Sequence, residues 1–124
     1  MSDSKKQLRP KISSIKKTIY SSQEEEFQNE VLRPIIKLQH ELIMSCFEHF
    51  LKLNRVQIGD LNTIQKTQVI QKLFRVDLRL KTELRGLIIG LFTLYEYNQY
   101  LNDSSKLNKR IYTMIQKRVE SVYL

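Results

Sequence analysis

Residues 40–49, HELIMSCFEH, bring two histidines, two glutamates, a thiol and a methionine into ten positions. Residues of these types bind metal ions or act as nucleophiles. A zinc-peptidase helix needs H-E-x-x-H, in which two histidines four residues apart face one ion. His40 and Glu41 fit that pattern, but position 44 is Met. His49 lies about 180° from His40 around a helix, so the two histidines cannot share an ion.

Cys46 and His49 form C-x-x-H, which places two ligands on neighbouring turns of a helix. A structural zinc takes about four ligands, and the chain has one Cys and two His in all. The sequence therefore predicts no metal site, no catalytic residue and no cofactor.

Helical spacing places His49 on the same face as Leu38 and Leu42, in the middle of an apolar stripe. Burying a polar group costs free energy unless it finds a hydrogen-bond partner. We expect a set of buried polar groups that fix the register of this helix: Gln28, Gln39, Cys46 and His49. The alternative is an internal pocket in which His49 transfers protons and Cys46 is the nucleophile. No third, orienting acid is evident for that alternative.

The net charge of +8 is concentrated at the two ends of the chain. Residues 1–20 contain six Lys or Arg and one Asp, and residues 106–124 contain five and one Glu. The tail residues that would contact the phosphates of a nucleic acid are Lys5, Lys6, Arg9, Lys11, Lys16 and Lys17. A second basic patch, next to Tyr112, would consist of Lys106, Lys109, Arg110, Lys117 and Arg118. No helix-turn-helix, RNA-recognition or zinc-finger signature accompanies them, so any such binding should be weak and nonspecific.

Three glycines and two prolines are few for a chain of 124 residues, and they favour an all-α fold. We expect a flexible basic tail over residues 1–21 and a single helical domain over 22–124. No apolar run approaches the roughly 20 residues needed to span a bilayer. No secretory signal is visible, and the lone Cys46 cannot form an internal disulfide. These features indicate a cytoplasmic protein without a membrane partner.

Two long helices dominate the pattern. Ser22 and Glu25 fit a capping box that opens the first helix, which should run to Leu53 with a kink at Pro34. A second helix should run from about residue 63 to about 90, along a stripe made of Val69, Leu73, Val76, Leu80, Leu84, Leu87 and Leu91.

Two further helices complete a predicted compact bundle of about four. Thr93 and Glu96 repeat the capping-box spacing and open a short helix over 94–101. The side chains of a last helix that should face the core are Leu107, Ile111, Ile115, Val119 and Val122. Tyr95, Tyr97 and Tyr100 cannot all face the core of one short helix. They form a candidate partner or dimer surface, because tyrosine is enriched at protein interfaces; the alternative is a lid that packs on neighbouring helices.

Three stretches, EFQNEVLRPIIKLQHEL, LRGLIIGLFTLYEYNQYL and SSKLNKRIYTMI, together resemble a small family of uncharacterised helical bacterial proteins. The resemblance covers roughly residues 25–120. Some members of that family carry the automatic label "glyoxalase", which implies a metal-dependent mixed α/β fold with His and Glu ligands. This sequence shows neither the strands nor the ligands, so the resemblance assigns no catalytic residues.

The function that we expect is that of a non-enzymatic helical interaction protein, in the form of a homodimer that uses helix faces and the tyrosines of 94–101. A nucleic-acid-associated accessory protein, acting through the basic tail and the last helix, is the second hypothesis. A glyoxalase-type enzyme, implied only by the family resemblance, is the third.

Overall fold

A computed structural model describes residues 4–10 and 22–124. All regular secondary structure in these residues is helical, which confirms the predicted all-α fold. In chain order the elements are α1 (Ser4–Gln7), α2 (Gln23–Phe27), a π-helical turn (Gln28–Leu32), α3 (Arg33–Leu38), α4 (His40–Leu53), a 3-10 turn (Ile58–Asp60), α5 (Thr63–Val76), α6 (Leu78–Ile89), α7 (Leu94–Asn102) and α8 (Ser104–Tyr123). The described chain thus contains more separate helices than the four or so that were predicted.

The first predicted helix is divided into consecutive pieces. It begins as expected, since the Ser22 hydroxyl accepts a hydrogen bond of 3.1 Å from the Glu25 N–H. The π-helical turn precedes Pro34, and within it the Arg33 N–H donates to the Gln28 carbonyl, five residues back. The predicted kink at Pro34 is not confirmed. Helical geometry continues past Pro34, and the interruption lies at Gln39, which has φ −89° and ψ 10°.

The second predicted helix is interrupted at Asp77, so the expectation of one helix from 63 to 90 is wrong. Asp77 is extended, with φ −87° and ψ 93°, and its Oδ1 accepts the Leu80 N–H at 3.1 Å. A carboxylate that accepts from the first turn starts a new helix, because it satisfies a backbone donor that has no partner within the helix. Val76 and Leu78, on either side of the break, are 59% and 70% exposed.

The last two helices follow the prediction closely. Thr93 and Glu96 form a reciprocal capping box at the start of α7, with hydrogen bonds of 2.9 and 3.1 Å. Four of the five residues predicted to face inward from α8 are buried: Leu107, Ile111, Ile115 and Val119. Val122 is 51% exposed, so the prediction that it faces the core is wrong.

The buried side chains form one cluster to which α2 through α8 all contribute. At its centre Phe47 of α4 stacks on Phe74 of α5, with ring centroids 5.8 Å apart. Helices α4 and α6 run antiparallel: the Gln39 amide donates to the Leu87 carbonyl, and the Arg79 guanidinium lies over the Phe50 ring. In the part of the chain that the structure describes, no helix has the length and hydropathy needed to cross a bilayer.

Candidate functional site

The residues of HELIMSCFEH do not form an internal site. His49 is exposed, so the prediction that it is a buried polar group is wrong. The reason is that α4 buries a different face, made of Ile43, Phe47, Phe50 and Leu51. Gln39 is half-buried, and its amide donates to the Leu87 carbonyl at 2.9 Å, so it has the expected partner. Gln28 is also half-buried, and it lines a surface cavity rather than the core.

Cys46 is half-buried beside α6. Burial, together with the nearby charge of Glu83, raises the pKa of the Cys46 thiol to about 11. Nucleophilic cysteines react as thiolates, and a thiol with this pKa is almost entirely protonated at neutral pH. The structure therefore gives no support to the alternative in which Cys46 is a nucleophile and His49 its base.

Helix α4 also carries a row of side chains beside its buried face, with an exposed leucine at each end and the half-buried Cys46, which packs against the core, between them. We call it the outer stripe: Leu42, Cys46, His49 and Leu53. Leu42 is 53% exposed and Leu53 is 51% exposed. Cys46 of the stripe lies near Glu83 of α6, and a Cβ atom built at Gly86 of the same helix would meet nothing within 4 Å. Leu42 and Leu53 thus lie in solvent on a helix that has open space at Gly86 of its neighbour.

The three tyrosines of α7 divide between solvent and core. Tyr95 is 70% exposed and Tyr97 is 38% exposed. Tyr100 is buried, and its hydroxyl donates to Asn108 Oδ1, so it is not part of a partner surface. Two exposed leucines, Leu94 and Leu101, extend the face of Tyr97 instead. We call the set Leu94, Tyr97 and Leu101 the α7 face.

The N-terminal segment 4–10 contacts the junction of α6 and α7. The Arg9 guanidinium donates two hydrogen bonds to the Glu96 carboxylate, at 2.6 and 2.8 Å, and a third to the Leu91 carbonyl. The Lys5 ammonium donates to the Phe92 carbonyl at 3.1 Å. The side chains of Arg9 and Glu96 are only 7% and 4% exposed. Arg9 is therefore not the free phosphate-binding cation that the tail prediction assumed.

Glu96 is ionised in this arrangement. Burial alone would raise the pKa of its carboxyl. Hydrogen bonds from Arg9 and from the Thr93 N–H, together with the positive charges of Arg9 and Lys6, outweigh burial and hold the pKa below its ordinary value. Beside this pair lies a cavity of about 570 Å³ with both acidic and basic side chains in its wall, among them Lys6, Arg9, Glu26 and Glu30.

The other predicted basic residues have separate surroundings. Lys6 is exposed, whereas Lys11, Lys16 and Lys17 lie outside the described residues. Arg110 pairs with Glu24 at 3.2 Å. Lys106 and Lys109 are exposed on α8. Tyr112 was predicted to adjoin the basic patch of α8, but its contacts are with α6. Its hydroxyl accepts a hydrogen bond from Arg85, and the Lys81 ammonium lies over its ring.

Lys117 and Arg118 of α8 meet Arg33 of α3 around a cavity of about 430 Å³. One Nη of Arg118 lies 3.2 Å from Nδ1 of His40. Because a guanidinium has no acceptor atom, Arg118 is the donor in this contact. The remaining lining residues are Gln28, Ile36, Met114 and Ser121. This basic cavity was not expected from the sequence, because Arg33 and Lys117 are 84 positions apart.

The His, Cys, Asp and Glu side chains that the structure describes do not provide the ligand set that a glyoxalase-type metal centre would need. Within residues 4–10 and 22–124 no group of three or more His, Cys, Asp or Glu side chains is placed to hold a metal ion. His40 is engaged by Arg118 and His49 points to solvent on another face of α4.

Comparisons with protein-family models, with curated proteins and with solved structures find no match for this chain.

Proposed function

We propose that the protein is a non-enzymatic helical interaction protein that forms a homodimer through the outer stripe of α4. The observation that carries this proposal is that α4 exposes two leucines, Leu42 and Leu53, outside the face that the fold buries. A surface helix of a globular protein ordinarily has one apolar stripe, which faces the core. The exposed leucines of the outer stripe remain for a helix of another chain to cover.

The spacing of the stripe suits a second copy of the same chain. Its intervals are four, three and four residues, from Leu42 through Cys46 and His49 to Leu53. This order is symmetric, so two α4 helices packed antiparallel about a two-fold axis place Leu42 opposite Leu53 of the second copy. Cys46 then lies opposite His49. An isologous contact of this kind needs a patch that is complementary to itself.

The charges beside the stripe support the same arrangement. Glu41 precedes the stripe, and Lys52 lies near its end. An antiparallel pair brings Glu41 of one copy near Lys52 of the other, where opposite charges set the register of association. Gly86 of α6, where an added Cβ would meet nothing within 4 Å, leaves room for the second helix to approach.

The test is the mass of the protein in solution, measured by sedimentation equilibrium. We expect a dimer for the natural chain and a monomer for the variants Leu42→Glu and Leu53→Glu, since a buried, unpaired carboxylate is strongly unfavourable at an interface. The matched control is Ile64→Glu, because Ile64 of α5 is 71% exposed and does not belong to the stripe. A monomeric natural chain, or a dimer that survives both stripe variants, would overturn the proposal.

The α7 face gives a second candidate surface for the same function. Leu94 is 75% exposed and Leu101 is 51% exposed, on the same side of α7 as Tyr97. The paired changes Tyr97→Ser and Leu101→Ser, both within the α7 face, distinguish the two surfaces. Retention of the dimer in this variant favours α4, and loss of the dimer favours α7.

Nucleic-acid association remains the alternative function, and the exposed Lys106, Lys109 and Lys117 of α8 favour it. It is tested by fluorescence anisotropy of labelled single- and double-stranded oligonucleotides over a salt series. Binding that weakens steeply as salt rises would support it, because each neutralised phosphate releases counterions. No binding at low salt would exclude it.

A further inference from the structure

The basic cavity lies between the π-helical turn and α3 on one side and the second half of α8 on the other. Arg33 follows the π-helical turn, whereas Lys117 and Arg118 lie in the last two turns of α8. The contact between Arg118 and His40 joins α8 to the start of α4 beside it. None of the cavity's lining residues belongs to the outer stripe of α4, so the ligand and the proposed dimer use different residues.

The charge of the cavity is one-sided. Its lining includes two guanidinium groups and one ammonium group, and no carboxylate of the described residues is among its lining side chains. Arg33 and Lys117 form no ion pair with any residue that the structure describes. The arginines Arg9 and Arg110, by contrast, are each neutralised by a glutamate.

Folding brings these three cations together on a surface where Arg33 and Lys117 are exposed and Arg118 is half-buried, so their mutual repulsion is modest and is screened by salt. An anion bound between them would offset that repulsion. Arg118 uses an N–H to donate to His40, and four of its five N–H groups remain for other acceptors. The His40 contact also fixes the orientation of the guanidinium plane.

The volume and the apolar part of the lining limit the kind of anion. A cavity of about 430 Å³ falls within the size range of small-molecule sites. The half-buried Met114 contributes apolar surface beside the cations, above the buried Ile36, and Gln28 and Ser121 contribute neutral hydrogen-bonding groups. Planar guanidinium groups match the oxygens of a phosphate. A ligand with a phosphate at one end and an apolar body at the other satisfies both parts of the lining.

We propose that this cavity binds a small phosphate monoester, with the phosphate held by Arg33, Lys117 and Arg118 and the organic body against Met114. This assigns the protein a ligand site in addition to self-association, and it does not depend on the dimer.

The test is isothermal titration calorimetry of the full chain with phenyl phosphate at low salt, with inorganic phosphate and phenol as partial ligands. Phenyl phosphate should bind one molecule per chain, and more tightly than inorganic phosphate, whereas phenol should give no signal. The double variant Arg33→Gln with Lys117→Gln should weaken binding at least about tenfold, the usual cost of losing a hydrogen bond to a charged group.

The matched control is Lys106→Gln with Lys109→Gln, which removes the same charge from exposed positions of α8 outside the cavity lining. The affinity of this control variant for phenyl phosphate should stay within about twofold of that of the natural chain, because salt screens exposed charges that do not line the cavity. Circular dichroism checks that both double variants are folded. Absence of phenyl phosphate binding, or equal weakening by the two double variants, would overturn the proposal.

Two further titrations identify the source of the phosphate. Sedimentation with phosphatidylcholine vesicles that contain phosphatidic acid tests a lipid headgroup. Vesicle binding that the cavity variant abolishes supports the site with a lipid ligand, and phenyl phosphate binding without vesicle binding supports it with a soluble one. If the chain does not bind phenyl phosphate but binds a labelled DNA duplex, and the Arg33 and Lys117 changes abolish that binding, the site is a nucleic-acid interface and the proposal is overturned.

Discussion

At the scale of single residues, burial decides chemistry more than residue type does. Cys46 and His49 are three positions apart, yet one is half-buried and the other is exposed. Glu96, which looks like an ordinary capping-box residue, is buried by a cation from the far end of the chain. Two predictions follow from these surroundings, one for the thiol and one for the carboxyl.

The Cys46 thiol should react slowly with disulfide reagents such as dithionitrobenzoate at neutral pH. Its pKa of about 11 leaves little thiolate until the solution is strongly alkaline. The rate constant should therefore keep rising with pH to about pH 10 in the folded chain, and urea should accelerate the reaction at pH 8. The thiol of glutathione is the reference. A rate at pH 7 equal to that of glutathione would contradict the raised pKa.

Glu96 should make folding stability depend on pH in the acid range. Its folded pKa is below the ordinary value of 4.5, so its ionised form stabilises the fold above that value. This stabilisation should be lost as the pH falls below about 4.5 toward the folded pKa. Urea unfolding followed by circular dichroism between pH 3 and 7 should show a shallower acid decline for Glu96→Gln than for the natural chain.

The partner of Glu96 can be tested at one pH. At pH 7 Arg9→Met should cost up to about 3 kcal/mol, because it leaves a buried carboxylate without its cation. The control Lys6→Met removes an exposed cation from the same segment and should cost much less. Equal costs for the two variants would show that the segment 4–10 is not held by the Arg9–Glu96 pair.

At the scale of helices, side chains that hydrogen-bond to nearby backbone set where several of the helices begin. Ser22, Thr93 and Asp77 each accept an N–H from three residues ahead. The apolar stripe from Val69 to Leu91 predicted one continuous helix, but it ignored the ability of Asp77 to compete with the helical backbone. Val76 and Leu78 are exposed as a result.

Asp77→Ala should destabilise the protein by about 1 kcal/mol, the usual cost of losing a helix N-cap. The measurement is urea unfolding followed by circular dichroism. The control is Asp60→Ala, since Asp60 is exposed in the 3-10 turn and begins no α-helix. An increase in both helix content and stability in the Asp77 variant would show instead that the sequence favours the continuous helix.

At the scale of the whole molecule, the chain places its chemistry on its surface. The described residues enclose one core of apolar side chains, and Thr93 and Glu96 are the buried polar residues that adjoin it. The features left for function are the outer stripe of α4, the α7 face and the basic cavity. The first two surfaces are apolar and the third is cationic. The proposed dimer and the proposed phosphate ligand are therefore tested by variants at different residues.

The helices of the last third of the chain could be predicted from the sequence, because their signals are local. The capping box of Thr93 and Glu96 and the four buried positions of α8 depend on residues three or four apart. Which apolar face of α4 is buried could not be predicted, because both faces have helical spacing. The choice depends on Phe74 of α5 and on α6, which pack against one of them.

The tertiary structure alone decided the arrangement of the charged groups. Arg9 and Glu96 are 87 positions apart, and the cations of the basic cavity come from α3 and α8. Ion pairs across such separations leave no periodic pattern in a single sequence. They form only after packing has excluded water from the groups, which is when an unpaired charge becomes costly. Local hydrogen bonds therefore determined the helices, and long-range packing determined the candidate sites.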